Sequence, residues 1–233
     1  MRCRACQCPG KLRASPMSKH HDLNRHSYNA IAASWDETRT AFYGREREYL
    51  DALLAGLPTG SSVLDLGCGT GRPMAEYILA CGHHVTGVDQ AEALLALARQ
   101  RFPQAEWIES RIEDYIAPSC FDAILCWDAL FHLERDRHEA LFARFARMLK
   151  PSGRLMLTFG GSDHPAFTDT MFSETFFYDS HPPKMATALL ARQGFDFVVS
   201  EFMNFPTPGR DKGRYAVVAR LASRPAGSKL RES

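Results

Sequence analysis

The sequence of 233 residues has no long apolar run and almost no excess charge of either sign. No stretch approaches the roughly 18 apolar residues of a membrane-spanning helix. Lys+Arg number 28 against Asp+Glu 27, for a formal net charge of +1. Nucleic acids and anionic membranes are bound by clustered excess cations. The charge balance therefore predicts neither nucleic acid nor a membrane as the main partner.

The N-terminal stretch also lacks the apolar segment of a secretory signal. We therefore expect a cytoplasmic protein whose cysteines remain reduced. Its cluster Cys3, Cys6 and Cys8 resembles part of a zinc site, but structural zinc usually needs four ligands in a compact frame. The Pro-, Gly- and Ser-containing composition favours a flexible leader instead, and we predict no metal. Four other cysteines fall in predicted core elements: Cys68, Cys81, Cys120 and Cys126.

Short apolar segments alternate with helical segments between residues 61 and 160. This alternation predicts an α/β fold with a doubly wound, mostly parallel sheet and helices on both faces. Two further strand-like segments, 195–201 and 214–221, are joined by a turn rich in Pro and Gly. They predict an antiparallel hairpin at the C-terminal edge, which completes a seven-stranded sheet. The stretch 160–181 between the fifth strand and the next helix is expected to be irregular.

The strongest functional signal is the segment Asp65-Leu-Gly-Cys-Gly-Thr-Gly71, which follows the first strand and precedes a helix. Glycines at such a position let a ligand lie against bare main chain, because no Cβ intrudes and positive φ is permitted. Ligands of doubly wound sheets bind at the carboxyl ends of the strands. Asp89 closes the next strand, where a carboxylate can accept hydrogen bonds from both hydroxyls of a ribose.

The spacing of the glycines separates two cofactors. The dinucleotide fingerprint is G-x-G-x-x-G, whereas here the spacing is G-x-G-x-G and Arg72 stands where the third dinucleotide glycine would fall. Asp65, two residues before the first glycine, suits the cationic amino-acid end of S-adenosylmethionine and would repel a pyrophosphate. The residues favour S-adenosylmethionine over NAD.

The segment VLDLGCGTG, with VDQ after the second strand, resembles the class I, Rossmann-like methyltransferases over about residues 61 to 160. The resemblance implies that the glycines line the methionine portion of S-adenosylmethionine, that Asp65 lies near its ammonium group and that Asp89 binds its ribose. S-Adenosylhomocysteine is then the product. The residues expected to bind the cofactor are Asp65, Gly67, Cys68, Gly69, Thr70, Gly71, Asp89, Gln90, Ile112, Glu113, Cys126 and Trp127.

One position departs from the pattern of that family. The segment after the third strand usually carries an acidic residue near the adenine amino group. Here it reads Ser110-Arg-Ile-Glu-Asp114, and Arg111 occupies the acidic position. The backbone at Ile112 or the carboxylate of Glu113 is the alternative contact for adenine.

The fourth strand ends close to Asp128 and His132, at an edge that faces both cofactor and acceptor in the family. Either residue is a candidate general base or acceptor-orienting group, and helix capping with ordinary polar packing is the alternative for both. Positioning alone supplies much of the rate for transfer from an activated sulfonium, so a base is not obligatory. Aromatic residues before the core and around the last strands are expected to wall the acceptor pocket: Tyr28, Trp35, Phe131, Phe159 and Tyr178.

These patterns divide the chain into five segments. We expect a flexible leader at 1–24, a helical cap or lid at 25–60, and the Rossmann-like, cofactor-binding core at 61–160. Residues 161–222 are expected to form the acceptor-pocket segment and to complete the sheet, and residues 223–233 are expected to form a flexible tail.

The predicted activity is methyl transfer from S-adenosylmethionine to a small-molecule acceptor by in-line attack, in a monomer or homodimer. Methylation of RNA or protein and a regulator that binds the cofactor without chemistry are the alternatives. Enzymes that methylate nucleic-acid bases carry an Asn/Asp-Pro-Pro-Tyr/Phe element after the fourth strand, and Cys126-Trp-Asp-Ala129 does not match it.

Overall fold

The computed structural model describes residues 19–222. The helices are α1 (Lys19–Ala30), α2 (Ala32–Thr38), α3 (Glu46–Leu54), α4 (Met74–Ala80), α5 (Glu92–Arg101), α6 (His138–Met148) and α7 (Pro183–Arg192). The strands are β1 (Ser62–Leu66), β2 (His84–Asp89), β3 (Glu106–Glu109), β4 (Phe121–Cys126), β5 (Leu149–Gly160), β6 (Phe167–Met171), β7 (Glu174–Tyr178), β8 (Phe195–Asn204) and β9 (Arg214–Leu221). Short 3-10 turns occupy Leu130–His132 and Arg135–Arg137.

The central sheet has seven strands in the order β3-β2-β1-β4-β5-β9-β8. The first five strands in that order are parallel, and β9 runs antiparallel to both β5 and β8. Successive residues of a strand face opposite sides of the sheet. Accordingly, Leu64 of β1 lies in the apolar cluster that contains α6 and α7, whereas Val63 lies in the cluster that contains α3 and α4. Both faces are covered, and the predicted fold class is confirmed.

The segment after β5 contains a structure that the sequence did not predict. Residues 167–178 form the antiparallel hairpin β6–β7, separate from the main sheet. Its two turn residues, Phe172 and Ser173, both have positive φ, 50° and 68°. Tight hairpins of this hand usually carry Asn or Gly at such positions. Because neither residue type is present, the turn gives no signal in the sequence, and the expectation of an irregular stretch was wrong here.

Helix α1 begins earlier than expected. The predicted boundary between leader and cap was residue 25, but the helix begins at Lys19. This helix lacks a strong apolar pattern, and side-chain hydrogen bonds hold it in place. The buried Asn24 pairs with both the N–H and the carbonyl of Phe177, at 2.7 and 3.1 Å, and Ser27 donates to the carbonyl of Thr175 at 2.6 Å. The free edge of β7 is thereby paired by a helix.

The remaining predictions for the terminal regions and cysteines have mixed outcomes. The cluster Cys3, Cys6 and Cys8 and the predicted tail at 223–233 lie outside the described residues. Cys68 and Cys126 are buried as expected, whereas Cys81 is exposed, because it follows the last residue of α4 at the surface. Within residues 19–222, no helix is both long and apolar enough to cross a bilayer.

Candidate active site

In the loop after β1, residues 67–71, the main chain packs closely against the end of β2, the turn after β4 and the cap. Gly67 has φ of 80°, and a Cβ there would lie 2.4 Å from the Cβ of Ala129. The N–H groups of Gly67 and Cys68 both donate to the carbonyl of Val88 in β2, at 2.8 and 3.1 Å. Gly69 has φ of 54°, and a Cβ placed on it would have the indole nitrogen of Trp35 as its nearest neighbour, at 3.6 Å. The loop therefore presents bare backbone toward Trp35.

A cleft opens at this loop, above the carboxyl ends of β1, β2 and β4. Tyr28 and Trp35 of α1 and α2 cover it. Its volume is about 920 Å³, including the part open to solvent. We call it the main cleft, and its lining residues are Tyr28, Trp35, Arg39, Asp65, Gly67, Cys68, Gly69, Arg72, Met74, Asp89, Gln90, Leu94, Ile112, Glu113, Trp127, Asp128, Ala129, His132 and Leu133.

Asp65 is a buried carboxylate on the wall of the main cleft. Only 3% of the residue is exposed, and no hydrogen-bond donor from residues 19–222 reaches its carboxylate. Burial, and to a smaller extent the nearby Asp89 carboxylate, together raise the pKa of Asp65 to about 7. An acid without a partner at such a position is costly in its charged form. A cationic ligand would relieve that cost.

Asp89 lies at the end of β2 and holds the glycine loop. One carboxylate oxygen accepts the N–H of Gly69 at 2.9 Å, and the other accepts the N–H of Ala91 at 2.9 Å. Burial raises the pKa of Asp89, while these N–H groups act in the opposite direction. Each carboxylate oxygen has a second lone pair, so Asp89 can also accept hydrogen bonds from a ligand in the main cleft.

His132 and Tyr28 form a hydrogen-bonded pair at the other side of the cleft. Nδ1 of His132 lies 2.9 Å from the carbonyl of Phe177, and Nε2 lies 2.9 Å from the Tyr28 hydroxyl. A carbonyl can only accept, so Nδ1 carries the proton and the Tyr28 hydroxyl donates to Nε2. Burial lowers the pKa of His132 to about 4, so the imidazole is neutral near pH 7. Burial also raises the pKa of Tyr28.

Asp128 is tied to β5 and β9. Its N–H donates to the Thr158 hydroxyl at 2.8 Å, and Arg214 donates to its carboxylate at 2.7 Å. Its φ of 49° is unusual for a residue other than glycine. Burial raises the pKa of Asp128, and Arg214 acts against that rise. These contacts fix the turn after β4.

Two residues that the sequence analysis did not single out connect the cap to the cleft. Glu46 of α3 is fully buried and accepts two hydrogen bonds from Arg39, at 2.9 and 2.8 Å. Its Oε1 also accepts the indole N–H of Trp127 at 2.9 Å. The guanidinium of Arg39 therefore stands on the cleft wall in a fixed orientation. Only three-dimensional contact brings these positions together, since no short sequence motif contains them.

The structure separates the predicted site residues into three groups. Those that line the main cleft are Tyr28, Trp35, Asp65, Gly67, Cys68, Gly69, Asp89, Gln90, Ile112, Glu113, Trp127, Asp128 and His132. Phe131 and Tyr178 line a second, adjoining cavity. Four others line neither cavity: Thr70, Gly71, Cys126 and Phe159.

Packing explains two of these four residues, Gly71 and Phe159, and the side chains of the other two are buried. A contact of the Cys126 backbone with the cofactor stays a prediction. A Cβ on Gly71 would lie 2.9 Å from the Trp107 ring, so this glycine makes room for an aromatic side chain and not for a ligand. Thr70 and Cys126 are at most 1% exposed. Phe159 is fully buried, with its ring stacked 5.5 Å from that of Tyr215, and it is not an acceptor contact.

Comparison with known proteins identifies this arrangement. Residues 63–153 match the model of a methyltransferase domain family. The chain contains a class I methyltransferase domain. The family predicted from the sequence is confirmed, and with it S-adenosylmethionine as the cofactor of that family. The match covers the glycine loop, β1 to β4 and the start of β5.

The curated relatives of this methyltransferase domain include enzymes of quinone biosynthesis. A ubiquinone biosynthesis O-methyltransferase of Xylella fastidiosa is 36% identical over 116 residues, which cover 47% of this chain and 46% of the relative. The chain thus matches about half the length of that relative.

Solved structures extend the similarity of fold beyond the domain. A Burkholderia thailandensis 1,6-didemethyltoxoflavin-N1-methyltransferase, solved with bound 1,6-didemethyltoxoflavin and S-adenosylhomocysteine, has a TM-score of 0.67 and 24% identity over 90% of this chain and 93% of its own. The [4+2]-cyclase SpnF has a TM-score of 0.69 and 16% identity, covering 90% of this chain and 98% of its own. Because that protein's name describes a different reaction, the fold by itself does not determine the chemistry.

Proposed function

We propose that this protein binds S-adenosylmethionine in the main cleft and transfers its methyl group to a small-molecule acceptor. The observation that carries the proposal is the buried carboxylate of Asp65, which has no donor among residues 19–222 and lies beside bare backbone. The cationic amino-acid end of S-adenosylmethionine supplies the missing positive charge. A cleft built for a dinucleotide would not place an unpaired acid next to a pyrophosphate.

The other cleft residues fit the remaining parts of the cofactor. Asp89 would accept hydrogen bonds from the ribose, and Arg39 would pair with the carboxylate of the methionine portion, since Arg39 and Asp65 both line the main cleft. Ile112 and Glu113 are our candidates for adenine contacts. Residues 25–60, with the first turns of α1, would act as the lid, because Tyr28 and Trp35 cover the cleft.

When bound, the cofactor supplies an activated methyl group that a nucleophilic oxygen, nitrogen or sulfur can attack in line. The protein aligns the acceptor and excludes water, which accounts for much of the rate in such reactions. We assign His132 Nε2 as the final proton acceptor within the protein. Tyr28 would take the acceptor's proton at its hydroxyl oxygen while giving its own proton to His132, whose Nε2 lies 2.9 Å from that hydroxyl. Burial disfavours the imidazolium that results, so the proton would have to pass on to solvent after transfer. Asp128 would act as a positioning residue through Arg214.

Calorimetric titration with S-adenosylmethionine, S-adenosylhomocysteine and NAD tests the cofactor. We expect binding of the first two only. In thermal unfolding, a ligand concentration a hundredfold above Kd should raise the free energy of unfolding by about 2.7 kcal/mol. Asp89→Asn should weaken binding, whereas Asp196→Asn, an exposed change on β8, should leave it unaltered. Stabilisation by NAD alone would overturn the assignment.

Radiolabelled methyl transfer to a panel of phenols, heterocyclic amines, RNA and protein tests the acceptor class. Product with a small molecule supports the proposal. Product with RNA or protein alone would replace it with one of those two alternatives. Binding of S-adenosylmethionine without transfer to any class would favour a regulator or another reaction on the same fold.

A further inference from the structure

The second cavity adjoins the main cleft at the turn after β4 and at the start of β9. It lies among the turn after β4, the end of β5, the hairpin β6–β7 and the connection between β8 and β9. Phe131 of this cavity precedes His132 of the main cleft, and Arg214 of this cavity pairs with Asp128. Its lining residues are Phe131, Gly160, His164, Phe167, Asp169, Tyr178, Asp179, Ser180, Arg210, Asp211, Lys212, Gly213 and Arg214.

Aromatic rings form one side of this cavity. The Phe167 and Tyr178 rings are stacked at 5.3 Å with 18° between their planes, and the Phe131 ring lies 5.9 Å from that of Tyr178. Tyr178 also contacts His132 at 4.9 Å between ring centres. Together these rings give one side of the cavity an apolar, aromatic lining, against which a ligand ring can pack.

The acidic groups of this cavity are all occupied by partners within the protein. Asp169 pairs with Arg210, and Asp179 accepts two hydrogen bonds from Arg135, at 2.5 and 2.8 Å. Asp211 accepts a side-chain amide at 3.0 Å and a backbone N–H at 2.8 Å. These carboxylates hold the loops together, and none of them requires a cation from a ligand.

The cations of the cavity are not all occupied. Arg210 and Arg214 are each paired with an aspartate. Lys212 is half-buried, and its ammonium contacts only the carbonyl of Gly209 at 3.4 Å and the face of the Phe167 ring at 6.0 Å. No carboxylate of residues 19–222 lies within ion-pairing distance of it. Lys212 is therefore the lining cation available to an anionic group, at the rim of an aromatic surface.

We propose that the second cavity binds the methyl acceptor and that this acceptor is an aromatic carboxylate. Its ring would pack on Phe167 and Tyr178, and its acidic group would pair with Lys212. The identity of this ligand as the acceptor rests on the proposed function, but its binding does not require the cofactor. The two ideas can therefore fail separately.

The test uses 2-naphthoate as the probe, with its uncharged counterpart 2-naphthamide, titrated by fluorescence into the full-length protein. We expect naphthoate to bind about tenfold more tightly than the amide. Lys212→Met should remove that difference, because one charge-assisted contact is worth about a factor of ten. Lys184→Met removes an exposed lysine on α7 and is the matched control for loss of charge. Phe167→Leu should weaken both probes.

Each outcome decides the matter. Absence of naphthoate binding, equal affinity for the amide, or unchanged naphthoate affinity in Lys212→Met would overturn this inference. S-Adenosylhomocysteine is titrated into the same preparations, and we expect equal affinity in all of them, since none of the substituted residues lines the main cleft. An altered affinity in Lys212→Met would count against placing Lys212 in a separate acceptor site. If 2-naphthoate does not bind as expected but S-adenosylhomocysteine does bind, the proposed acceptor class is refuted and the proposed function is left in place. Loss of S-adenosylhomocysteine binding in the unmodified protein refutes the proposed function instead.

Discussion

Protonation of Asp65 should control how tightly the cofactor binds. The pKa of Asp65 in the free protein is about 7. A cationic ligand favours the charged carboxylate, so binding should return the pKa toward its ordinary value of 3.8. Binding then releases a proton below pH 7, and affinity rises with pH until the free acid is ionised.

The size of the effect follows from linkage between the two pKa values. Between pH 5.5 and 7, the Kd for S-adenosylmethionine should fall about 15-fold if the bound pKa lies well below 5. The amino group of the ligand remains largely protonated in that range, since an α-amino pKa is about 7.7–8.0. Calorimetry in two buffers of different ionisation enthalpy should detect release of close to one proton at pH 5.5.

Asp65→Asn isolates the contribution of this one group. The variant should bind S-adenosylmethionine more weakly at pH 7 and should lose the pH dependence. Because the folded-state pKa is raised, Asp65 favours folding most below pH 3.8 and loses that contribution as pH rises through 7. The variant should therefore be more stable than the parent at pH 8, by at most about 4 kcal/mol. Two results would refute this reasoning. One is a Kd of the parent protein that does not change between pH 5.5 and 7, and the other is a variant whose Kd still changes with pH as the parent's should.

Three further predictions address other parts of the site. Tyr28→Phe should reduce kcat about 100-fold with little change in cofactor affinity, since it interrupts proton transfer to His132. An unchanged rate of methyl transfer in single-turnover assays would contradict that role. Arg39→Met should lower the free energy of unfolding by about 3–5 kcal/mol in urea titrations, because it leaves Glu46 buried without its cation, whereas Arg47→Met on the exposed side of α3 should have little effect. Ser173→Gly should raise the free energy of unfolding by about 0.5–1 kcal/mol, because φ of 68° is strained for serine and not for glycine; an unchanged urea midpoint would show that the turn is not strained.

The sequence was informative where function depends on local backbone. The glycine loop and Asp89 stand at the ends of adjacent strands, so a linear motif was enough to predict that they would meet. Gly71 shows the limit of the same motif, since it belongs to the pattern by spacing but serves the packing of Trp107. A motif specifies which residues are small, and only the fold specifies what occupies the space.

Contacts between distant segments could not be predicted in this way. Arg39, Glu46 and Trp127 meet because the cap folds over β4, whereas in the sequence Arg39 and Glu46 look like ordinary charged surface residues. Lys212 lies in a turn whose composition indicated only a loop. Phe159 was an error of the opposite kind, because an aromatic residue at a strand end was expected to face the ligand and instead fills the core.

The pairing of Asn24 and Ser27 with β7 has a consequence for how the site opens. Since α1 completes the hydrogen bonding of the hairpin, the two elements are expected to move as one body, and the hairpin in turn carries the Tyr178 side of the second cavity. A movement of α1 that opens the main cleft to the cofactor would then also displace the hairpin side of the second cavity. The same side chains occupy an edge of β7 that another protein chain could otherwise extend, so a joint movement of α1 and the hairpin would open the site while keeping that edge covered.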